Sequence, residues 1–172
     1  MKIILSIFLI VVVHNGLPKQ IQKKVNKEIT TVFEVTDFEL QHRSFDQSVL
    51  NTLPAEFGER NFFQIKTGEH NIGYAYIGVA PSKTDRFDYM LLFDTELNIL
   101  KSKVLIYRED HGGEIGSKRW LKQFNGKGFK DTMIVHENIM AISGATISVN
   151  SMTNAVNKVL QSVNILYSKD LL

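Results

Sequence analysis

Between Pro18 and Val32 the apolar residues fall at Ile21, Val25, Ile29 and Val32, with Lys19, Lys23, Lys24 and Lys27 on the remaining surface. Steps of three and four predict an amphipathic helix, and Pro18 suits its first turn because a helix start leaves that N–H unpaired anyway. The period then shortens. Residues 38–45, 61–68 and 72–80 read as strands, the last alternating aromatic and aliphatic side chains with small ones. Residues 87–94 and 99–107 flank Thr95-Glu-Leu-Asn98, a hairpin loop, and a pair joined so closely argues for an antiparallel sheet. The glycine-rich run His111–Gly116 interrupts this pattern. After it, Ser117 offers an N-cap to a short helix with Trp120, Leu121 and Phe124 on one face, and Asn125–Gly128 ends it. From Ser148 onward Val149, Met152, Val156, Val159, Leu160, Val163 and Leu166 mark the clearest helix in the chain. The expected fold is α+β: a mainly antiparallel sheet with flanking helices and a C-terminal amphipathic helix. Residues 18–172 would form one domain, its first helix an N-terminal extension.

Residues 1–17 have a different character. Lys2 precedes an apolar run, Ile3–Val13, broken only by Ser6, and His14, Asn15 and Gly16 follow. As a helix that run spans about 16 Å, roughly half the hydrocarbon core of a bilayer. A secretory signal peptide fits this length better than a membrane span, although no Ala-x-Ala site follows. A short N-terminal anchor and a buried N-terminal element are the other readings. Export to the periplasm, or to the outer face of the cytoplasmic membrane, is the expectation.

Composition narrows the function. Hydrophobic residues make up 44% and charged ones 22% of 172 residues, enough for a packed core in one ordinary domain. A net charge of +2 gives no concentrated basic face, so no nucleic-acid partner is expected. The helix lysines could rest on a membrane surface or form a solvated face. The absence of cysteine excludes disulfides, thiolate metal sites, a cysteine nucleophile and a lipid-modified cysteine. Histidines 14, 42, 70, 111 and 136 show no ligand spacing, so no metal is expected. Gly112–Lys118 departs from a phosphate-binding P-loop in glycine spacing and in the order of Ser117 and Lys118, and no G-x-S-x-G occurs.

What remains is two small-residue loops, each leading into a helix. Ser143-Gly144-Ala145-Thr146, followed by Ile147 and Ser148, would expose N–H groups at the positive end of the last helix, a natural cradle for phosphate. The same residues are equally good helix-start chemistry. In the second loop Gly112, Gly113 and Gly116, with Glu114 and Ile115 between them, suggest backbone conformations or close approaches that a side chain would obstruct.

The run Ser143-Gly-Ala-Thr-Ile-Ser148 before an apolar helix resembles the flavin-attachment signature of the FMN-binding domain family. That family includes the covalent-flavin subunits of the sodium-pumping NADH:quinone reductase and of Rnf complexes, and small exported proteins. Glu109–Phe124 resembles its glycine loop and the Trp-Leu-x-x-Phe helix after it, with Gly113-Glu-Ile-Gly116 where subunits often carry Pro-Gly-Leu-Gly. The resemblance covers about residues 70–165. It implies FMN joined to Thr146 through a phosphoester, installed from FAD by a magnesium-dependent flavin transferase. Met140 stands where the attachment signature usually has Asp. The 112–116 loop would contact the flavin or its phosphate, and Lys118 or Arg119 would pair with the phosphate charge. Trp120, in line with Leu121 and Phe124, reads as core.

Three functions fit. One is an electron carrier serving a membrane-bound redox partner outside the cytoplasm. A second is a flavin-dependent reductase with its own substrate, though no dinucleotide fingerprint is visible. The third is a non-redox ligand-binding module in which Ser143–Thr146 merely caps a helix. With no acid–base pair or nucleophile evident, the carrier is favoured over a self-sufficient enzyme.

Overall fold

A computed structural model describes residues 16–172. The expected signal segment therefore lies outside the described residues, apart from Gly16 and Leu17. Five strands form one antiparallel sheet in chain order: β1 (Glu39–His42), β2 (Phe62–Thr67), β3 (His70–Pro81), β4 (Arg86–Phe93) and β5 (Ile99–Ile106). Helices α1 (Lys19–Phe33), α2 (Gln47–Leu50), α3 (Lys118–Leu121) and α4 (Thr146–Ser168) complete the α+β fold. The expected strands all form, with ends shifted by no more than three residues. Helix α2 went unforeseen, because four residues carry no readable period.

Alternation along the strands sorts side chains to two faces. Phe62, Tyr74, Tyr76, Phe87, Tyr89, Leu91 and Phe93 turn to the face covered by α4, where Val149, Met152, Val156, Val159 and Val163 are fully buried. Phe63, Ile65, Ala75, Ile77, Met90 and Leu92 turn to the other, beneath Ile21, Val25 and Ile29 of α1. Helix α1 is thus a structural layer as well as an extension of the chain. Its lysines are not all solvated either: the Lys24 ammonium donates to the carbonyl of Leu105, and Lys103 of β5 pairs with Glu28 at 3.1 Å.

At one pole of the sheet, side chains tie a strand turn to the chain leaving the last strand. Ser82–Asp85 turn β3 into β4 there, and the chain leaves β5 through Tyr107, Arg108 and Glu109. Arg108 donates to the Arg86 carbonyl and pairs with the buried Asp88. Glu109 closes the turn: its carboxylate accepts from the Ser82 hydroxyl and from the N–H groups of Thr84 (2.7 Å) and Asp85 (3.0 Å). The Ser82 hydroxyl first, and then the Thr84 N–H, hold the carboxyl down from 4.5 to about 2.

A pKa lowered by folding adds stability above the unfolded value, and that stability drains away as the pH falls through the folded one. Glu109→Gln is therefore expected to unfold at lower denaturant than wild type at pH 7, with the gap closing between about pH 4.5 and 2. Parallel denaturation curves across that range check it; a gap of constant size would show that ionisation of Glu109 is irrelevant to the turn.

Candidate functional site

Helix α4 starts at Thr146, two residues before the apolar period begins, with Ala145 as N-cap and no side chain capping it. Neither Ser143 nor Thr146 turns its hydroxyl back onto the helix, so the capping role open to them in sequence is not used. The N–H groups of Thr146, Ile147 and Ser148 meet no loop carbonyl or side chain among the described residues. Uncapped, this end of a 23-residue helix keeps its partial positive charge facing outward. The approach is a turn closed by the Ala145 N–H on the Ile142 carbonyl (3.1 Å), with Gly144 at φ +82°, a conformation glycine adopts without strain. Ser143, Thr146 and Ile147 are exposed; Ala145 and Ser148 are buried.

The second loop arrives at the same place. Gly113–Gly116 form a 3₁₀ turn whose Ile115 side chain is fully buried in the core, so this residue offers the site only its backbone. Gly112, at φ +83°, lies so close that an added Cβ would stand 2.7 Å from the Tyr107 hydroxyl and 3.6 Å from the Ala145 Cβ. Gly113 and Gly116 differ: ordinary van der Waals room surrounds each, at 3.7 Å from Tyr107 and 3.8 Å from Val104. Of the three glycines only Gly112 is demanded by its surroundings. Tyr107 went unnoticed in the sequence, yet its hydroxyl donates to the His111 carbonyl (2.9 Å) and lies 3.0 Å from the Ser148 hydroxyl.

Helix α3 fixes the chain entering the motif. Ser117 caps it, accepting from the Trp120 N–H at 3.3 Å. Trp120 is core, edge-on to Phe124, and its indole N–H donates to the Met140 carbonyl at 2.7 Å. The Gln123 amide oxygen accepts from the Met140 N–H, also at 2.7 Å. Both backbone groups of Met140 are thereby held, while its side chain stands 61% exposed. The loop's support at this position therefore comes from the backbone and does not depend on the side chain. From α4, the Asn157 amide bonds both N–H and carbonyl of Met133, tying down the preceding loop.

Lys118 is not on this crevice. It shares a recess of about 160 Å3 with Lys101, Lys103, Lys122 and Gly116, along the outer edge of β5. Arg119 is exposed beside it. A cavity of about 1000 Å3 lies further along α4, between Ser151, Asn154 and Lys158, strand β3 and residues 54–61. No residue of either loop lines it, so the candidate site is the exposed surface where the two loops meet, a shallow crevice at most.

Fold and crevice together define an α+β domain that presents a receptive helix terminus beside a glycine loop. Residues 84–161, from the β3–β4 turn into α4, match the model of the FMN-binding domain, and this stretch of the chain is similar to that family. No curated protein matches the chain. Both loops fall inside the matched segment; α1 and strands β1 to β3 precede it.

Two serines at helix starts should behave oppositely. Ser117→Ala is expected to cost about 1 kcal/mol, the usual loss of a cap. Ser143→Ala, which removes no hydrogen bond among the described residues, should stay within about 0.5 kcal/mol of wild type. Chemical denaturation of the two variants side by side checks the contrast.

Proposed function

We propose that Thr146 carries FMN through a phosphoester and that the protein is an exported electron carrier. The observation that carries this reading is the uncapped start of α4: an exposed threonine beside N–H groups that no other described residue occupies. Such a terminus receives a phosphate dianion without rearrangement, so the residues present fit the group. The N–H groups of Thr146, Ile147 and Ser148 would hold the phosphate, and the Gly112–Gly116 backbone would border it. Met140 and Ile147, 61% and 50% exposed, offer apolar surface near the attachment point. When bound, the isoalloxazine ring supplies one- and two-electron redox chemistry.

Attachment itself balances simply. The Thr146 hydroxyl oxygen would bond to the flavin-side phosphorus of FAD, with AMP as the leaving group. The hydroxyl proton would pass to a base of the transferase. A tether of this kind keeps the cofactor in a compartment where free FMN is dilute, which accords with the export signal read in residues 1–17. Because a tethered flavin cannot diffuse, electrons enter and leave through a partner that approaches the crevice, here a membrane-bound one.

Protein made in a host that supplies the transferase and FAD should exceed the bare polypeptide in intact mass and fluoresce in a denaturing gel. Thr146→Val should lose both signals while keeping the wild-type circular dichroism and melting temperature. A wild-type mass equal to the bare chain from that host would refute covalent attachment. Holo-protein mixed with NADH or NADPH alone should stay oxidised for many minutes; rapid, saturable bleaching would favour a reductase.

A further inference from the structure

The Tyr107 side chain touches both loops of the crevice. It follows β5 directly, packs its ring against Phe87 at 5.9 Å between centroids, and sends its hydroxyl across the pole. That hydroxyl has one proton. The His111 carbonyl can only accept, so the proton goes there, at 2.9 Å. The 3.0 Å contact with Ser148 must then run the other way, the serine donating to the tyrosine oxygen. Both directions are fixed by a single carbonyl. Gly112 is positioned by the same atom, since any side chain there would collide with it at 2.7 Å.

We infer that Tyr107 is the positioning residue of the flavin crevice, its hydroxyl latching the glycine loop to the first turn of α4. The inference rests on the proposed flavin site for its consequence, but not for the latch. Ser148 lies two residues beyond the attachment threonine, in the same turn, and is 4% exposed. A half-buried hydroxyl pair at this point sets the spacing between the helix terminus that would hold the phosphate and the loop that borders it. Phenylalanine would preserve the ring packing and remove only the bridging oxygen, leaving Ser148 without its acceptor.

The test has two arms. In protein without flavin, Tyr107→Phe and Ser148→Ala should each speed amide hydrogen exchange at Gly112–Gly116 by about fivefold, the equivalent of one net hydrogen bond. The double variant should add little to either single change, because each already breaks the same bridge. Exchange in the β3 and β4 amides should not change, which separates a local latch from general destabilisation. In flavin-loaded protein the same variants should keep the mass increment yet shift the flavin's fluorescence and midpoint potential. Unaltered loop exchange in both single variants would overturn the latch, whatever the flavin does. Altered exchange with unaltered fluorescence and potential would overturn the positioning role. A wild-type protein bearing no flavin would defeat the proposed function and leave the exchange arm to decide the latch.

Discussion

Every residue of β4 beyond Arg86 is buried, and a strand buried on both faces requires a layer on each side of the sheet. Met90 and Leu92 need α1, while Tyr89, Leu91 and Phe93 need α4. The lysine-rich helix at the start of the described chain is therefore as necessary to the sheet as the long helix at its end. Removing either would open a hydrophobic face to water at roughly 25 cal/mol for each Å2 exposed. Since the segment matching the family begins at Thr84, half of this arrangement is supplied from outside it.

That two-sided burial also explains how α4 can begin without a cap. A helix in water needs its ends satisfied because nucleation is unfavourable and propagation weak. Helix α4 is held by packing, with ten of its residues buried. The N–H groups of its first turn are spared capping duty and can remain open to an external group. Neighbouring α3 shows the contrast: one turn long, it uses a serine cap and a tryptophan anchored at both its N–H groups.

Much of this was readable from the chain, for reasons tied to periodicity. Strand alternation from Ile72 to Ala80 and the three-and-four spacing from Val149 to Leu166 are repeated signals, and both elements form. The Ser143–Ser148 and His111–Gly116 loops were recognisable as small-residue breaks ahead of helices. Their convergence was not readable, because it depends on Tyr107, one aromatic residue at a strand end that looks in sequence like the last core position of β5. Glu109 and Gln123 escaped notice similarly; each bonds backbone groups far along the chain, and such bonds leave no periodic trace. The glycines misled by number. Three in one loop suggested three constraints, whereas only the one with a left-handed backbone and a crowding hydroxyl is constrained.

Met140 divides its labour between main chain and side chain. Trp120 and Gln123 grip only its N–H and carbonyl, bonds that nearly any amino acid could supply, and its thioether extends into solvent. Folding therefore exerts almost no selection on which side chain stands there. If a modifying enzyme inspects that position, it inspects a character that evolution can rewrite without cost to the architecture. A lineage could lose or exchange such an address while its domain went on folding unchanged.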